Sequence, residues 1–473
     1  MEKNMATEEK LDLLKNTKVS KLLFKLAVPT IVAHIVNLLY MEVDRIMIGH
    51  IPVIGGDALT GVGVCLSVLI IVMSFSSLCS VGGASRAAIF LGKGDKESAE
   101  KTLGNCALAL IISGLLMIVI FEWKGRELLL LFGASDITID YAWDYMKIYA
   151  LGALSVHLTL GLNCFITTQG FAKTSMLTVI IGAVLNLILD PLFIFVFNMG
   201  VKGAALATII SQTVSAIWVV LFLIGNKTVL KIKLKNFKLE SRIILPALSL
   251  GLAPFIMSFT ESILGICFNI SLLKYGGDTA VGAVTIFMSL SQFIILPLIG
   301  LSQGAKPIMS YNKGAKLPER MKETLKLLLM VAMTYSFVIW GLIMITPRTF
   351  AQLFTDSEQI IVYVEKMIRV FLACGGLFSA QIVCQQMFVA LGKAKESLFI
   401  ALLRKVIILI PLIYIMPLIF TQNQQLAVLL AEPLADLISV ITTVIFFGVV
   451  FKKELNSLRT QNQLEGVLEK NQN

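Results

Sequence analysis

Apolar runs of roughly 20 residues recur along almost the whole chain, and each is long enough to cross a bilayer as a helix. The most apolar stretches of two of them are ALALIISGLLMIVIF at 107–121 and IILIPLIYIMPLIF at 407–420. The runs are unbroken rather than alternating, which favours helices over a closed barrel, the other solution that satisfies every backbone polar group in lipid. Of 473 residues, 57% are hydrophobic and 15% charged, so the core of one water-soluble domain could not hide the apolar surface. The expected fold is all-α and polytopic.

Twelve spans are predicted, at 23–48, 58–84, 103–121, 141–168, 175–197, 203–224, 245–273, 280–304, 324–346, 359–390, 398–420 and 425–451. The net charge of +10 does not form one basic face that would suit nucleic acid. Lysine and arginine collect instead in alternate loops: Lys93 to Lys101, Lys173, Lys227 to Arg242, Lys306 to Lys326, Lys393 to Lys395 and the tail from Lys452. By the positive-inside rule these loops and both termini face the cytoplasm, which places the chain in the inner (plasma) membrane. The start from Met1 to Lys21 is polar and mixed in charge, so no cleavable leader is expected. Seven cysteines fall in or beside apolar runs without CxxC spacing and are expected to be small packed thiols.

The chain repeats itself. Gly55-Gly56-Asp57 and Gly61 match Gly276-Gly277-Asp278 and Gly282; Lys93-Gly94 matches Lys313-Gly314; Gly170, Ala172 and Lys173 match Gly392, Ala394 and Lys395. The offset stays near 220, which implies two pseudo-symmetric six-helix lobes with a cavity between them. The predicted division is an N-terminal segment 1–22, a first lobe 23–225, a linker 226–243, a second lobe 244–451 and a tail 452–473.

An ionisable group in hydrocarbon costs several kcal/mol, so each one requires a reason. Asp190 sits deep in VLNLILDPLFIF with no basic neighbour. Asn186, four residues earlier, shares its helix face, and Pro191 leaves a backbone carbonyl without its usual donor. Carboxylate, amide and carbonyl oxygens suit a hard cation, and a desolvated carboxylate equally suits a proton. Asp44 lies in YMEVDRIMIGH, where Arg45 could pair with it and Glu42 reads as rim. Glu261 sits mid-span beside Thr260 and Ser262. Glu432 and Asp436 flank Pro433, as a second acidic site or a mutually bonded pair at a kink. Thr208 and Gln212 fit helix packing or a ligand set equally well. His34, His50 and His157 read as packing. Met73, Phe75, Met257, Phe259, Gln212, Gln292 and Gln381 are candidates for the lining of a polyspecific cavity, with Phe287 and Met288 as further soft residues. There is no nucleophile–base pair, no metal-ligand spacing and no P-loop, so neither an enzyme nor an ATP-driven pump is expected. An ion gradient is the expected energy source, with no cofactor.

With these residues in view, the chain resembles the multidrug and toxic compound extrusion (MATE) family, and within it the bacterial MepA-like branch. The resemblance rests on NLILDPLFIFVFNMGVKGAALATIISQ at 186–212, VDRIMIGHIP at 43–52, LGLAPFIMSFTE at 250–261 and the repeated loops near Gly94 and Gly314. It implies two lobes and export of lipophilic cationic compounds in exchange for Na⁺ or H⁺, with Asp44, Asn186, Asp190 and Thr208 as the coupling site; a monomer is expected. Glu261 matches a coupling acid of another branch, whose second acid is replaced here by Gln381, Gln385 and Gln386. Ile408 and Leu412 stand near the repeat positions of Asn186 and Asp190, so coupling is expected in the first lobe. A lipid-linked precursor flippase of the same superfamily would need a basic cavity, and the intramembrane charges read as mainly acidic. A major-facilitator carrier would need an acidic-arginine-glycine signature that LGKGDKESAEKT lacks, and a membrane receptor would need a sizeable soluble domain.

Overall fold

The computed structural model describes residues 17–49, 51, 55–132, 134, 138–352 and 358–472, and among them every regular element is helical. His50 and the side chains of Glu42, Arg45 and Asp57 lie outside the described part. The first lobe contains α1 (Val19–Gly49), α2 (Gly55–Gly92), α3 (Lys96–Leu131), α4 (Ile139–Leu151), α5 (Ala153–Thr168), α6 (Ala172–Pro191) and α7 (Val201–Ile224). The second contains α8 (Ser241–Gly314), α9 (Pro318–Ile345), α10 (Pro347–Gln352), α11 (Glu358–Phe371), α12 (Phe378–Ala390), α13 (Ala394–Leu402), α14 (Ile410–Ile419) and α15 (Gln424–Gln472). The helices form because the runs are rich in Leu, Ile, Ala and Met and no span interior offers water as an alternative partner for the backbone. Local signals set the ends, as where Asp95 Oδ1 accepts from Ser98 N at 2.9 Å and caps α3.

Ten helical stretches among the described residues are long and apolar enough to cross a membrane, and the bent pair α4 and α5, at 56°, makes an eleventh. The predicted spans 141–168 and 359–390 are therefore broken rather than continuous. Glycine stands at each break. Gly152 leaves room for Ile209 of α7, whose Cγ1 lies 2.6 Å from where a Cβ would sit, and Gly376 does the same for the Phe337 ring at 2.9 Å. The predicted spans seven and eight are joined through Gly277, whose φ of 67° and ψ of −168° are open to glycine alone.

The repeat has a definite structural register, and it differs slightly from the one read in sequence. Gly170 (φ 85°) is answered by Gly392 (φ 70°), but Gly94 (φ 79°) is answered by Lys316 (φ 55°) rather than by Gly314. The true partner of Gly314 is Gly92. Both touch the opposite lobe: a Cβ on Gly92 would lie 2.1 Å from Tyr311 O, and one on Gly314 2.0 Å from Ile89 O. Gly82 and Gly251 make the same backbone approach between α2 and the first arm of α8. Small residues let helix backbones touch where lipid supplies no hydrophobic drive. Val119, Leu221 and Ile445, each more than 60% exposed, belong to the apolar surface that such a fold presents to hydrocarbon.

Between α7 and α8 the chain folds back on the first lobe. Buried Gln169 accepts from Thr228 Oγ1, Val229 N and Leu230 N, each at 2.7 Å, and Asn105 Oδ1 accepts from Glu240 N at 2.7 Å. This segment is fixed by buried acceptors, which use up backbone donors that would otherwise be desolvated.

Candidate cation site and inter-lobe cavity

Asp190 is fully buried on α6. Its Oδ1 accepts from Asn186 Nδ2 at 3.0 Å, one turn earlier, and Asn186 Nδ2 also reaches Thr208 Oγ1 of α7 at 3.4 Å. Thr208 spends its own proton on Ala204 O at 3.0 Å. Asp190 Oδ2 and Asn186 Oδ1 are buried without any protein donor among the described residues. Directly after Asp190-Pro191 the helix widens into a π turn over Leu192–Val196. A proline removes one donor and crowds the preceding carbonyl, and a π turn is a common way to absorb that.

Asp44 is 9% exposed on α1 and lies close enough to Asp190 for the two negative charges to oppose each other. Two tyrosines complete the group. Tyr40 bonds to Gln212, and Tyr145 bonds to Thr208 and faces Asp44. Neither tyrosine stands out in the sequence, because each is one aromatic among many on an apolar helix. The four predicted residues Asp44, Asn186, Asp190 and Thr208 thus converge from α1, α6 and α7. Buried carboxylate oxygens beside an unused amide oxygen form a set that a small hard cation or protons can complete.

The second lobe treats its acids differently. Arg404 Nε donates to Asp436 at 2.7 Å and its NH2 to Glu432 at 2.6 Å, while the guanidinium lies 4.2 Å from the centre of the Phe378 ring. Lys405 pairs with Glu261 and donates to Met257 O at 2.7 Å. Arg404 and Lys405 occupy a π-helical stretch, Leu403–Leu409, joining α13 to α14. Glu432 and Asp436 are therefore neither a second open acidic site nor bonded to each other; one guanidinium serves both. The expectation that the intramembrane charges are mainly acidic is corrected here. Arg404 and Lys405 were legible as a basic pair early in the span at 398–420, and between them they pair with Glu261, Glu432 and Asp436.

A cavity of about 330 Å³ lies between α1, α2, α5, α6 and the second arm of α8. Of the predicted lining residues only Met73 faces it. Phe75 instead packs edge-on against Phe255, 5.1 Å between centroids, and Phe259 stacks on the same ring at 6.0 Å. Gln212 belongs to the cation group, Met257 O receives Lys405, and Gln292 and buried Gln381 lie outside the lining. Lys306 was expected to open a solvent loop; it sits inside α8 and lines the cavity, as does His34, expected to be packing. His157 does pack, with Nδ1 on Ala153 O at 2.8 Å. Five of the seven cysteines are buried, and Cys164 and Cys374 are partly exposed.

The family model for MatE matches residues 29–192 and again 254–415, one match in each lobe. The chain belongs to the MatE family. The MatE chain is similar to the multidrug export protein MepA of Staphylococcus aureus (strain NCTC 8325 / PS 47), with 26% identity over 431 residues, 91% of this chain and 94% of that one. Its fold matches a MATE structure in the bent conformation with a TM-score of 0.87 and 22% identity, over 95% of this chain and 99% of that one. It also matches the outward-facing conformation of a multidrug resistance MATE family transporter of the MOP superfamily, with a TM-score of 0.86 and 22% identity over 94% and 98%. Twelve helices in two lobes are the fold of these neighbours, and the MatE chain shares it. The first matched block ends two residues after Asp190, and the second ends within α14, beyond Arg404.

Proposed function

We propose that this MatE chain is a secondary active antiporter that exports small lipophilic compounds in exchange for Na⁺ or H⁺, with the coupling ion held by Asp44, Asn186, Asp190 and Thr208. The observation that carries this reading is the pair of buried acceptors, Asp190 Oδ2 and Asn186 Oδ1, which have no protein donor among the described residues. A buried carboxylate left so would be costly. An exchangeable cation relieves that cost in one conformation, and transport requires that it do so better in one state than in the other. Thr208 links Asn186 to Tyr145, which faces Asp44, so that ion binding would be read out as a change in how α1 packs on α6 and α7.

The basic loops around Lys93, Lys173, Lys235 and Lys313 support a reading in which both termini face the cytoplasm. A lipophilic cation, the cargo class expected from sequence, would meet its counter-charge at the Asp44 and Asp190 cluster and compete there with the coupling ion. A lipid-linked precursor flippase gains one supporting feature, the lysine in the cavity, but 330 Å³ is small for a lipid-linked precursor in this conformation. The test is efflux from proteoliposomes of purified protein, with sodium and pH gradients imposed one at a time. Export driven by either gradient supports antiport; export indifferent to both, or none with folded protein, refutes it.

A further inference from the structure

The cavity between the lobes carries the charge opposite to that of the cation group. Lys306 lines it, and among the described residues no acid or hydrogen-bond acceptor is recorded for its ammonium. His34 lies beside it, bonded to Gln303. No acid appears among the described lining residues. Five of the six serines already donate to backbone oxygens, among them Ser77 to Met73 O at 3.2 Å, Ser80 to Ser76 O at 2.8 Å and Ser310 to Ala390 O at 2.8 Å, and Ser175 accepts from Thr167 at 2.8 Å. Three ammonium protons at one end are therefore the strongest unspent donors. The rest of the wall is apolar, including Ala33, Val81, Ala84 and Val179. A volume of about 330 Å³ is in the range of small-molecule sites.

A lone cation in a place short of water repels a second one and attracts an anion, since screening there is weak. We propose that this cavity binds the anionic head of a small amphiphile, with Lys306 as its counter-charge and the Ala and Val wall covering the tail. An anionic lipid headgroup and an acidic lipophilic solute share this chemistry. Use of the cavity for exported cargo rests on the transport reading above, but binding itself does not, so the test measures binding without a gradient.

Cys164 lines the same cavity and is partly exposed, which makes it a reporter. Alkylation of Cys164 by N-ethylmaleimide is followed by peptide mass spectrometry in neutral detergent with octyl phosphate, octyltrimethylammonium or octanol. Octyl phosphate is expected to slow the reaction roughly tenfold more than the other two, the size of one charge-assisted contact. Lys306→Gln is expected to abolish that difference and Lys306→Arg to keep it. Thermal unfolding midpoints of the same samples give a second reading that does not need Cys164 to react, and the same ranking is expected. Equal protection by the cationic or neutral probe, or an anion preference that survives Lys306→Gln, overturns the proposal. Nanodiscs separate the two sources. Protection by phosphatidylglycerol over phosphatidylcholine assigns a lipid headgroup, protection by octyl phosphate alone assigns a free solute, and protection by neither overturns the proposal.

Discussion

Asn186 spends its amide protons on Asp190 Oδ1 at 3.0 Å and on Thr208 Oγ1 at 3.4 Å, while Asp190 Oδ2 and its own Oδ1 stay buried without a donor among the described residues. The amide thus orients the acid without neutralising it. A lysine in place of Asn186 would quench the site; asparagine preserves a negative oxygen cluster and fixes its direction.

Asp190→Asn removes the charge but keeps the shape. The variant is expected to insert, to unfold at the same or a higher temperature, and to lose gradient-driven efflux, because a neutral amide no longer needs a cation in the apolar interior. Efflux from proteoliposomes, normalised to folded protein, checks this; normal efflux by the variant would contradict the coupling role.

Asn186→Ala deletes a hydrogen bond to a charged group and one candidate ion ligand. A bond of that kind contributes about 1.5–3 kcal/mol, so ion affinity is expected to fall roughly ten- to a hundredfold with the fold intact. The ion concentration giving half-maximal efflux measures it.

The identity of the ion can be read without transport. If Na⁺ binds the folded state, a concentration near 100 times Kd adds about 2.7 kcal/mol of stability, and the unfolding midpoint rises with Na⁺ over K⁺ in the wild type but not in Asp190→Asn. If protons serve instead, the midpoint ignores Na⁺ and responds to pH, and Asp190→Asn flattens that response.

Arg404→Ala strands Glu432 and Asp436, which now share its guanidinium at 2.6 and 2.7 Å. Removing one partner of a buried pair costs about 3–5 kcal/mol. A large drop in midpoint is expected, and Arg404→Met combined with Glu432→Gln and Asp436→Asn is expected to recover much of it. A single Arg404→Ala variant as stable as the wild type would mean that the network is solvated.

Gly314→Ala places a methyl group 2.0 Å from Ile89 O. Helices α2 and α8 must then separate, and overpacking of this kind costs about 1–3 kcal/mol. The expected outcome is a lower unfolding midpoint together with slower efflux, whereas Gly341→Ala, where no atom lies within 4 Å of the added carbon, is the matched control and should change neither.

The spans, the twofold repeat and the local Asn186–Asp190 pair were readable because each depends on residues close in sequence or on apolar length alone. Asn186 and Asp190 are one turn apart, so helix geometry alone places them together. The convergence of Thr208 from α7 came from family resemblance, and Tyr145 was invisible, since nothing local distinguishes it from the stacked Tyr149 beside it. The register near Gly94 and Gly314 was misaligned by two residues because a lysine, Lys316, adopts the positive φ that a glycine pattern assigns to glycine.

By itself the sequence determined that the chain lives in lipid, that it is built twice over, and that Asp190 is a buried charge in need of a partner. The first and third follow from transfer free energies, which are properties of each residue, and the second from motifs matched at a constant offset. Only the tertiary structure decided which charges are spent. It gives Arg404 to Glu432 and Asp436, gives Lys405 to Glu261, and turns Lys306 into a cavity. Pairing depends on distances between helices that share no sequence neighbourhood, and no composition or periodicity encodes a distance.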